Sequence, residues 1–206
     1  MSSGGNGDPI HRLAAAGALA VIAGWIAWGR WVFASASPYP LGVDGYFYPV
    51  QLRSLLESGS LHYPSAPLSL WLMAPLAAIG GPVWAVKAAA AVVTALIVIP
   101  LYGIARELGG DRASALLAGV VGATSTASFY FSVEFIKNGF GLTIAAFALW
   151  ALLVAHRRRT RGALALALTL IAATWLTHKS AAALVVVAAA PLTIRTLGGR
   201  AVLAGV

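Results

Sequence analysis

Apolar residues run along this chain in blocks separated by short charged clusters, and several blocks reach the roughly 17–25 residues that a bilayer-spanning helix needs. The first, Leu13 to about Phe33, follows Arg12 and carries Trp25, Trp28 and Trp31 toward its far end, the aromatic placement expected at a membrane interface. That length, the Trp cluster and the lack of a small-residue cleavage site read as a retained anchor rather than a signal peptide. Val83 to Ala105, Ala113 to Phe131, Gly139 to Ala155, Gly162 to Thr177 and Ser180 to Ile194 are further candidate spans. The last two are short and Ala-rich, which suits burial between other helices.

Residues 35–82 follow a different pattern. Seven prolines punctuate them, Pro38, Pro40, Pro49, Pro64, Pro67, Pro75 and Pro82, and Asp44, Arg53 and Glu57 interrupt their apolar positions. They predict a structured external loop. Within it, Pro49 to Ser58 sets Leu52, Leu55 and Leu56 on one helical face with Gly59 as C-cap, a short amphipathic helix for the membrane surface. Ala66 to Ile79 is apolar but only about 14 residues long, the length of an interfacial or re-entrant piece. The predicted fold class is therefore an all-α, polytopic membrane helix bundle of about six spans, whose first external loop carries interfacial helices. A polar leader, residues 1–12, is expected to be mobile, and residues 13–206 are read as one transmembrane module.

Charge distribution then predicts orientation. Cytoplasmic loops carry the excess of Lys and Arg, and nine basic residues (Arg12, Arg106, Arg112, Arg157, Arg158, Arg159, Arg161, Arg195 and Arg200) fall inside, against five outside, if Ala66 to Ile79 does not span. The N-terminus is then cytoplasmic. Asp44, Arg53, Glu57, Glu134, Lys137, His178 and Lys179 gather at the external boundary, where two carboxylates from separate loops meet.

Composition agrees with a membrane protein and removes alternatives. Sixty per cent of the residues are hydrophobic, 10% are charged and the mean hydropathy is +0.84, against about 25% charged residues in soluble domains. With no cysteine there is no disulfide scaffold, thiolate metal site or thiol nucleophile. The net charge of +8 is concentrated in the run Arg157 to Arg161, a headgroup anchor rather than a nucleic-acid surface, since no aromatic residues interleave it.

Three places carry candidate chemistry. Asp44, in Val43-Asp44-Gly45-Tyr46-Phe47-Tyr48, suits a general base toward a hydroxyl or a ligand of a divalent ion; its local alternative is an Asx turn or helix cap. Glu134 lies at the outer start of a span, where a helix N-terminus and an i,i+3 pair with Lys137 offer a purely structural role. Ionisable groups at membrane depth are expensive, by about 2.5–3.5 kcal/mol, so an acid and a lysine among Phe131, Phe135 and Phe140 favour function. His178 and Lys179 end a span, either as snorkelling groups at a helix C-terminus or, with Lys137, as a clamp for an anionic lipid headgroup. His62, His11 and His156 read as surface or interfacial residues.

Asp44-Gly45-Tyr46-Phe47-Tyr48, His62-Tyr63-Pro64-Ser65-Ala66-Pro67-Leu68 and Gly109-Gly110-Asp111-Arg112-Ala113 together carry a resemblance. Over about Leu13 to Ile194 the chain resembles the N-terminal membrane module of GT-C glycosyltransferases, the superfamily of protein mannosyltransferases, aminoarabinose transferases and oligosaccharyltransferases. The resemblance implies an integral membrane enzyme that takes sugar from a polyprenyl-phosphate-linked donor and passes it to an acceptor hydroxyl on a glycan, lipid or protein at the external face. It implies an essential acid in the first external loop, which Asp44 matches, and a second acid after the third span, which Glu134 matches. Lys137, His178, Lys179 and Arg53 are then the lipid-phosphate-binding candidates, and Asp44 with Glu134 the candidate ligands of a divalent cation, Mg or Mn. Many members pair two acids in the first loop, whereas Gly45 follows Asp44 here. Members are also usually longer, so a further C-terminal portion or a partner subunit is expected. The competing class is a noncatalytic transporter, lipid-binding or assembly subunit whose external charges only cap helices and hold headgroups.

Overall fold

The computed structural model describes residues 9–204, with side chains over residues 10–191 except that of residue 12. The first part of the leader and the side chains of Arg12, Arg195 and Arg200 lie outside the described residues. The structure is 82% helical, and the described residues contain no strand. Among the described residues, ten helices follow in order: α1 (Pro9–Ser35), α2 (Phe47–Ser58), α3 (Leu68–Gly80), α4 (Pro82–Ala95), α5 (Val98–Glu107), α6 (Arg112–Thr124), α7 (Thr126–Val133), α8 (Ile136–Arg158), α9 (Arg161–Thr177) and α10 (Lys179–Ala204).

Among the described residues, three stretches are long and apolar enough to cross a bilayer: Leu13–Ser35, the α4–α5 pair Pro82–Glu107, and Ile136–Arg158. The α6–α7 pair makes a fourth if counted as one span, and α9 and the first half of α10 are shorter apolar helices. The all-α membrane bundle is thus as expected, while the count by length is three or four. Small residues explain how the short helices fit. Ala145, Ala148, Ala181 and Val185 pack α8 closely on α10, with Leu170 and Ile171 of α9 alongside.

Two expected spans are interrupted, each for a local reason. Pro100 lacks the N–H that would bond the carbonyl of Leu96, and the helix resumes at Val98 after a turn at Leu96 and Ile97. Residues 113–131 are not one helix either. Ser125 takes an extended ψ of 149°, its Oγ accepts the N–H of Ser128 at 3.2 Å, and α7 leaves α6 at 43°.

The segment between α1 and α4 behaves largely as its prolines predict. Gly59 ends α2 in the left-handed region at φ 71°, its N–H reaching Leu55 O, a conformation that glycine adopts without cost. The face of α2 that packs inward is Tyr48, Pro49, Gln51 and Leu52, whereas Leu56 is exposed, because α2 seats on α3 and α4 instead of lying free. Gln51 is fully buried and bonds the backbone of Tyr63 twice, at 2.9 and 3.0 Å, fastening the α2–α3 connection. Helix α3 buries Leu70, Met73 and Ala77 against Ala85, Val86 and Ala89 of α4.

The bundle has two chemically distinct ends. Lys87 near the start of α4 bonds Ser37 O just past α1, and Thr94 further along α4 meets Arg30 within α1, so α4 runs antiparallel to α1. Helix α3 is preceded by Ser65, which bonds Lys137 at the start of α8, and is followed directly by α4. Both its ends therefore lie at the same end of the bundle, as an interfacial helix requires. At the opposite end Glu107 forms ion pairs with Arg157 and Arg158 at 3.7 and 3.9 Å, joining α5 to the basic end of α8. Arg30 and Lys87 belong to neither surface; they are 5% and 9% exposed within the bundle.

Candidate functional site

The loop 36–46 leaves α1 and returns to α2 through a tight turn. Gly45 N–H bonds Gly42 O at 3.1 Å and Phe47 N–H bonds Asp44 O at 3.0 Å. Gly42 sits at φ +81°, and a Cβ there would come within 2.7 Å of Val133 O and 2.9 Å of Glu134 Oε2. Conformation and space both demand glycine at this position. Beyond it, Val43 N–H donates to Glu134 Oε2 at 2.7 Å. The two carboxylates of the sequence prediction, 90 residues apart in the chain, are thus brought to one place, with Glu134 gripping the backbone next to Asp44.

Neither carboxylate takes the local structural role open to it. The Asp44 side chain makes no hydrogen bond among the described residues, and the N-cap of α2 is Tyr46, which has no side-chain cap bond, so Asp44 forms neither an Asx turn nor a cap. Glu134 is the C-cap of α7 and directly precedes Phe135, the N-cap of α8, and among the described residues its i,i+3 pair with Lys137 is not formed. Lys137 instead donates to Ser65 Oγ at 2.8 Å and lies 5.9 Å from the centroid of the Phe47 ring. Its backbone N–H donates to the Tyr48 hydroxyl at 3.0 Å.

Tyr48 is a member of this cluster that the sequence pattern did not single out. Burial pushes its phenol up to about 12; the Lys137 N–H it accepts pulls the other way, and the Asp44 charge adds to the rise. The hydroxyl is therefore protonated at neutral pH and keeps a proton to donate. Asp44 also lies within electrostatic reach of Lys137.

A cavity of about 620 Å³ opens beside Lys137, bounded by Pro64 to Pro67 and by Trp175 to Ser180. His178 and Lys179 line it. His178 is the C-cap of α9, and its Nδ1 accepts the N–H of Ala181 in the first turn of α10 at 3.4 Å. Accepting at Nδ1 leaves the proton of the neutral ring on Nε2, as a donor. Burial first, and the charge of Lys137 second, hold His178 below the usual histidine range, so it is neutral at pH 7. Lys179 is the first residue of α10 rather than a cation at a helix C-terminus, and lies 5.9 Å from the centroid of the Trp175 ring. Three cavity groups, Lys137, Lys179 and the His178 Nε2–H, are thus donors, and no carboxylate lines the space.

Arg53 does not join them. It is exposed on α2 and is not among the residues lining the cavity. His62, also exposed, packs edge-on against Tyr63 with 4.4 Å between ring centroids.

An all-α bundle with several helices long and apolar enough to cross a bilayer, and with acids and cations gathered at one end, defines a polytopic membrane protein. Residues 64–203 match the dolichyl-phosphate-mannose-protein mannosyltransferase family, and the chain belongs to that family, which is of the GT-C type. It is thereby a membrane protein of glycosyltransferase type, in a family whose members use a lipid-linked sugar donor. The match includes Glu134, Lys137, His178 and Lys179 and begins after Asp44 and Arg53. No curated protein and no solved structure matches the chain significantly.

Proposed function

We propose that the chain transfers a sugar from a polyprenyl-phosphate-linked donor to an acceptor hydroxyl, at a site on the external face of the membrane. The observation that carries this reading is the bond from Val43 N–H to Glu134, which joins the Asp44 loop to the residue leading into α8, where Lys137 lines the cavity within electrostatic reach of Asp44. The lipid phosphate sits in the cavity against Lys137, Lys179 and the His178 Nε2–H. The prenyl chain passes into the bilayer, and the sugar faces Asp44.

The chemistry is a single displacement. The acceptor oxygen bonds to the anomeric carbon as the bond from that carbon to the phosphate oxygen breaks. The electron pair leaves with the phosphate, and the hydroxyl proton passes to Asp44. Lys137 and Lys179 stabilise the charge that grows on the departing phosphate. One displacement inverts the configuration at that carbon. Glu134 holds the loop with Oε2 while Oε1, free of hydrogen bonds among the described residues, remains for the acceptor. Arg53, on the exposed face of α2, is assigned to headgroups at the rim.

Among the described residues no three His, Cys, Asp or Glu side chains cluster as a protein-built metal cage needs. Asp44 and Glu134 supply at most two carboxylates, so Mg2+ or Mn2+ there would need phosphate oxygens of the donor as well. No step above is routed through a cation.

The test is reconstitution in liposomes with radiolabelled polyprenyl-phosphate mannose and hydroxyl acceptors of the three classes, peptide, glycan and lipid. Transfer that depends on Lys137 and Asp44 supports the reading. Donor binding with no transfer to any class, unaffected by Asp44→Asn, supports the noncatalytic lipid-binding alternative.

A further inference from the structure

Arg30 stands within α1, 5% exposed, and has no carboxylate partner among the described residues. An unpaired cation inside a membrane bundle is costly enough to need a reason. Its guanidinium donates to Thr94 Oγ1 of α4, to Ala123 O at 2.6 Å and to Ser128 Oγ at 2.8 Å. The last two lie on opposite sides of the break between α6 and α7.

An unbroken helix would bond Thr126 N–H to Gly122 O and Ala127 N–H to Ala123 O. The extended backbone at Ser125 removes both bonds, and a third as Ser128 N–H turns to Ser125 Oγ instead of Thr124 O, so these carbonyls must find partners elsewhere. Ser125 Oγ donates to Gly122 O at 2.8 Å, and Arg30 donates to Ala123 O. The cation also faces the negative end of the α6 dipole, where positive charge is favoured.

The consequence is geometric. From Arg30, α1 runs on to the loop bearing Asp44, and from Ser128, α7 runs on to Glu134. The two tracks meet along their length, at Arg30 with Ser128, at Phe33 with Phe129, whose ring centroids are 5.0 Å apart, and at Val43 with Glu134. We infer that Arg30 is a positioning residue: it holds the α6–α7 bend open and so sets where α7 delivers Glu134 beside the Asp44 loop. Its part in transfer rests on the function proposed above; its hold on the bend does not.

The chain contains no cysteine, so spin labels can be placed at Ala113→Cys in α6 and Tyr130→Cys in α7, both at accessible positions. In nanodiscs, the label distance in the parent chain is expected to be one narrow population. Arg30→Met broadens or lengthens it, Arg30→Lys restores it in part, and Ser128→Ala, which removes only the bond to α7, broadens it less. Transfer kinetics are measured on the same proteins. Misplacement of Glu134 is expected to lower kcat about 10–100-fold. KM for the lipid-linked sugar stays within about twofold, because the cavity residues are untouched.

A distance distribution in Arg30→Met that superimposes on that of the parent overturns the inference, whatever happens to activity. A changed distribution in a chain whose parent shows no transfer upholds the bend and overturns the proposed function instead. Should Arg30→Met fail to fold, Ser128→Ala decides: broadening supports the inference and an unchanged distance overturns it.

Discussion

The carboxylate of Glu134 holds the backbone N–H of Val43 at 2.7 Å, joining the loop after α1 to the junction of α7 and α8. A solvent-exposed hydrogen bond of this kind contributes at most about 1 kcal/mol. Glu134→Ala is expected to lower stability by up to that amount and to free the Asp44 loop, read as faster amide exchange at residues 42–45. Glu134→Gln keeps an acceptor oxygen and is expected to hold the loop nearly as well. Equal exchange in parent and Glu134→Ala would show that the bond does not order the loop.

Gly42 makes this bond possible. Placing a side chain at φ +81° costs about 1–2 kcal/mol, and the added Cβ crowds Val133 O and Glu134 Oε2. Gly42→Ala is expected to be more damaging than Gly59→Ala, a second left-handed position whose Cβ meets nothing within 4 Å. Paired thermal melts and transfer assays check this; loss of activity should be confined to Gly42→Ala.

Protonation of His178 is expected to weaken the fold on the acid side. Burial, and secondarily Lys137, keep its pKa in the folded chain below the unfolded value of about 6.5. Above that value both states are neutral and nothing changes. As pH falls through it the unfolded chain binds the proton first, so stability declines until the folded-state value is passed. His178→Gln should flatten the fall of the unfolding midpoint as pH drops below about 6.5 relative to the parent. An identical slope in both proteins would assign the acid loss to other groups.

Accessibility labelling tests orientation. Single cysteines at Val43 and Ile79, 91% and 83% exposed, are expected to react with an impermeant thiol reagent on intact cells, and Leu108→Cys only after permeabilisation. Gly81 is unsuited to such a probe because of its φ of +82°. Labelling of Leu108→Cys from outside would reverse the assigned orientation.

Much of this was legible in the residues themselves. Proline spacing and the length of residues 66–79 anticipated α2 and the short apolar helix α3, and Gly59 marked its own helix end. Charge counting anticipated the meeting of Asp44 and Glu134 at one end. The bend at Ser125 was visible only as the hydroxyl run Thr124-Ser125-Thr126 with Ser128 inside an otherwise apolar block, and the support that holds it comes from α1, about 95 residues away in the chain, which no local pattern reveals. Arg30 and Lys87 stand as charges inside apolar blocks, a visible signal, but their partners are backbone carbonyls and hydroxyls that no spacing rule connects. Likewise the Glu134 and Lys137 pair was plausible at i,i+3, yet the change of direction between α7 and α8 sends one side chain to Val43 and the other to Ser65.

Transfer by Asp44→Asn bears most directly on the central claim. The substitution keeps size and polarity and removes the base, in a side chain with no hydrogen bond among the described residues to lose. Sugar transfer from polyprenyl-phosphate mannose in proteoliposomes is expected to fall about 10²–10⁴-fold while donor binding is retained. Full transfer by a folded Asp44→Asn protein would contradict the assignment of Asp44 as the base that receives the acceptor proton.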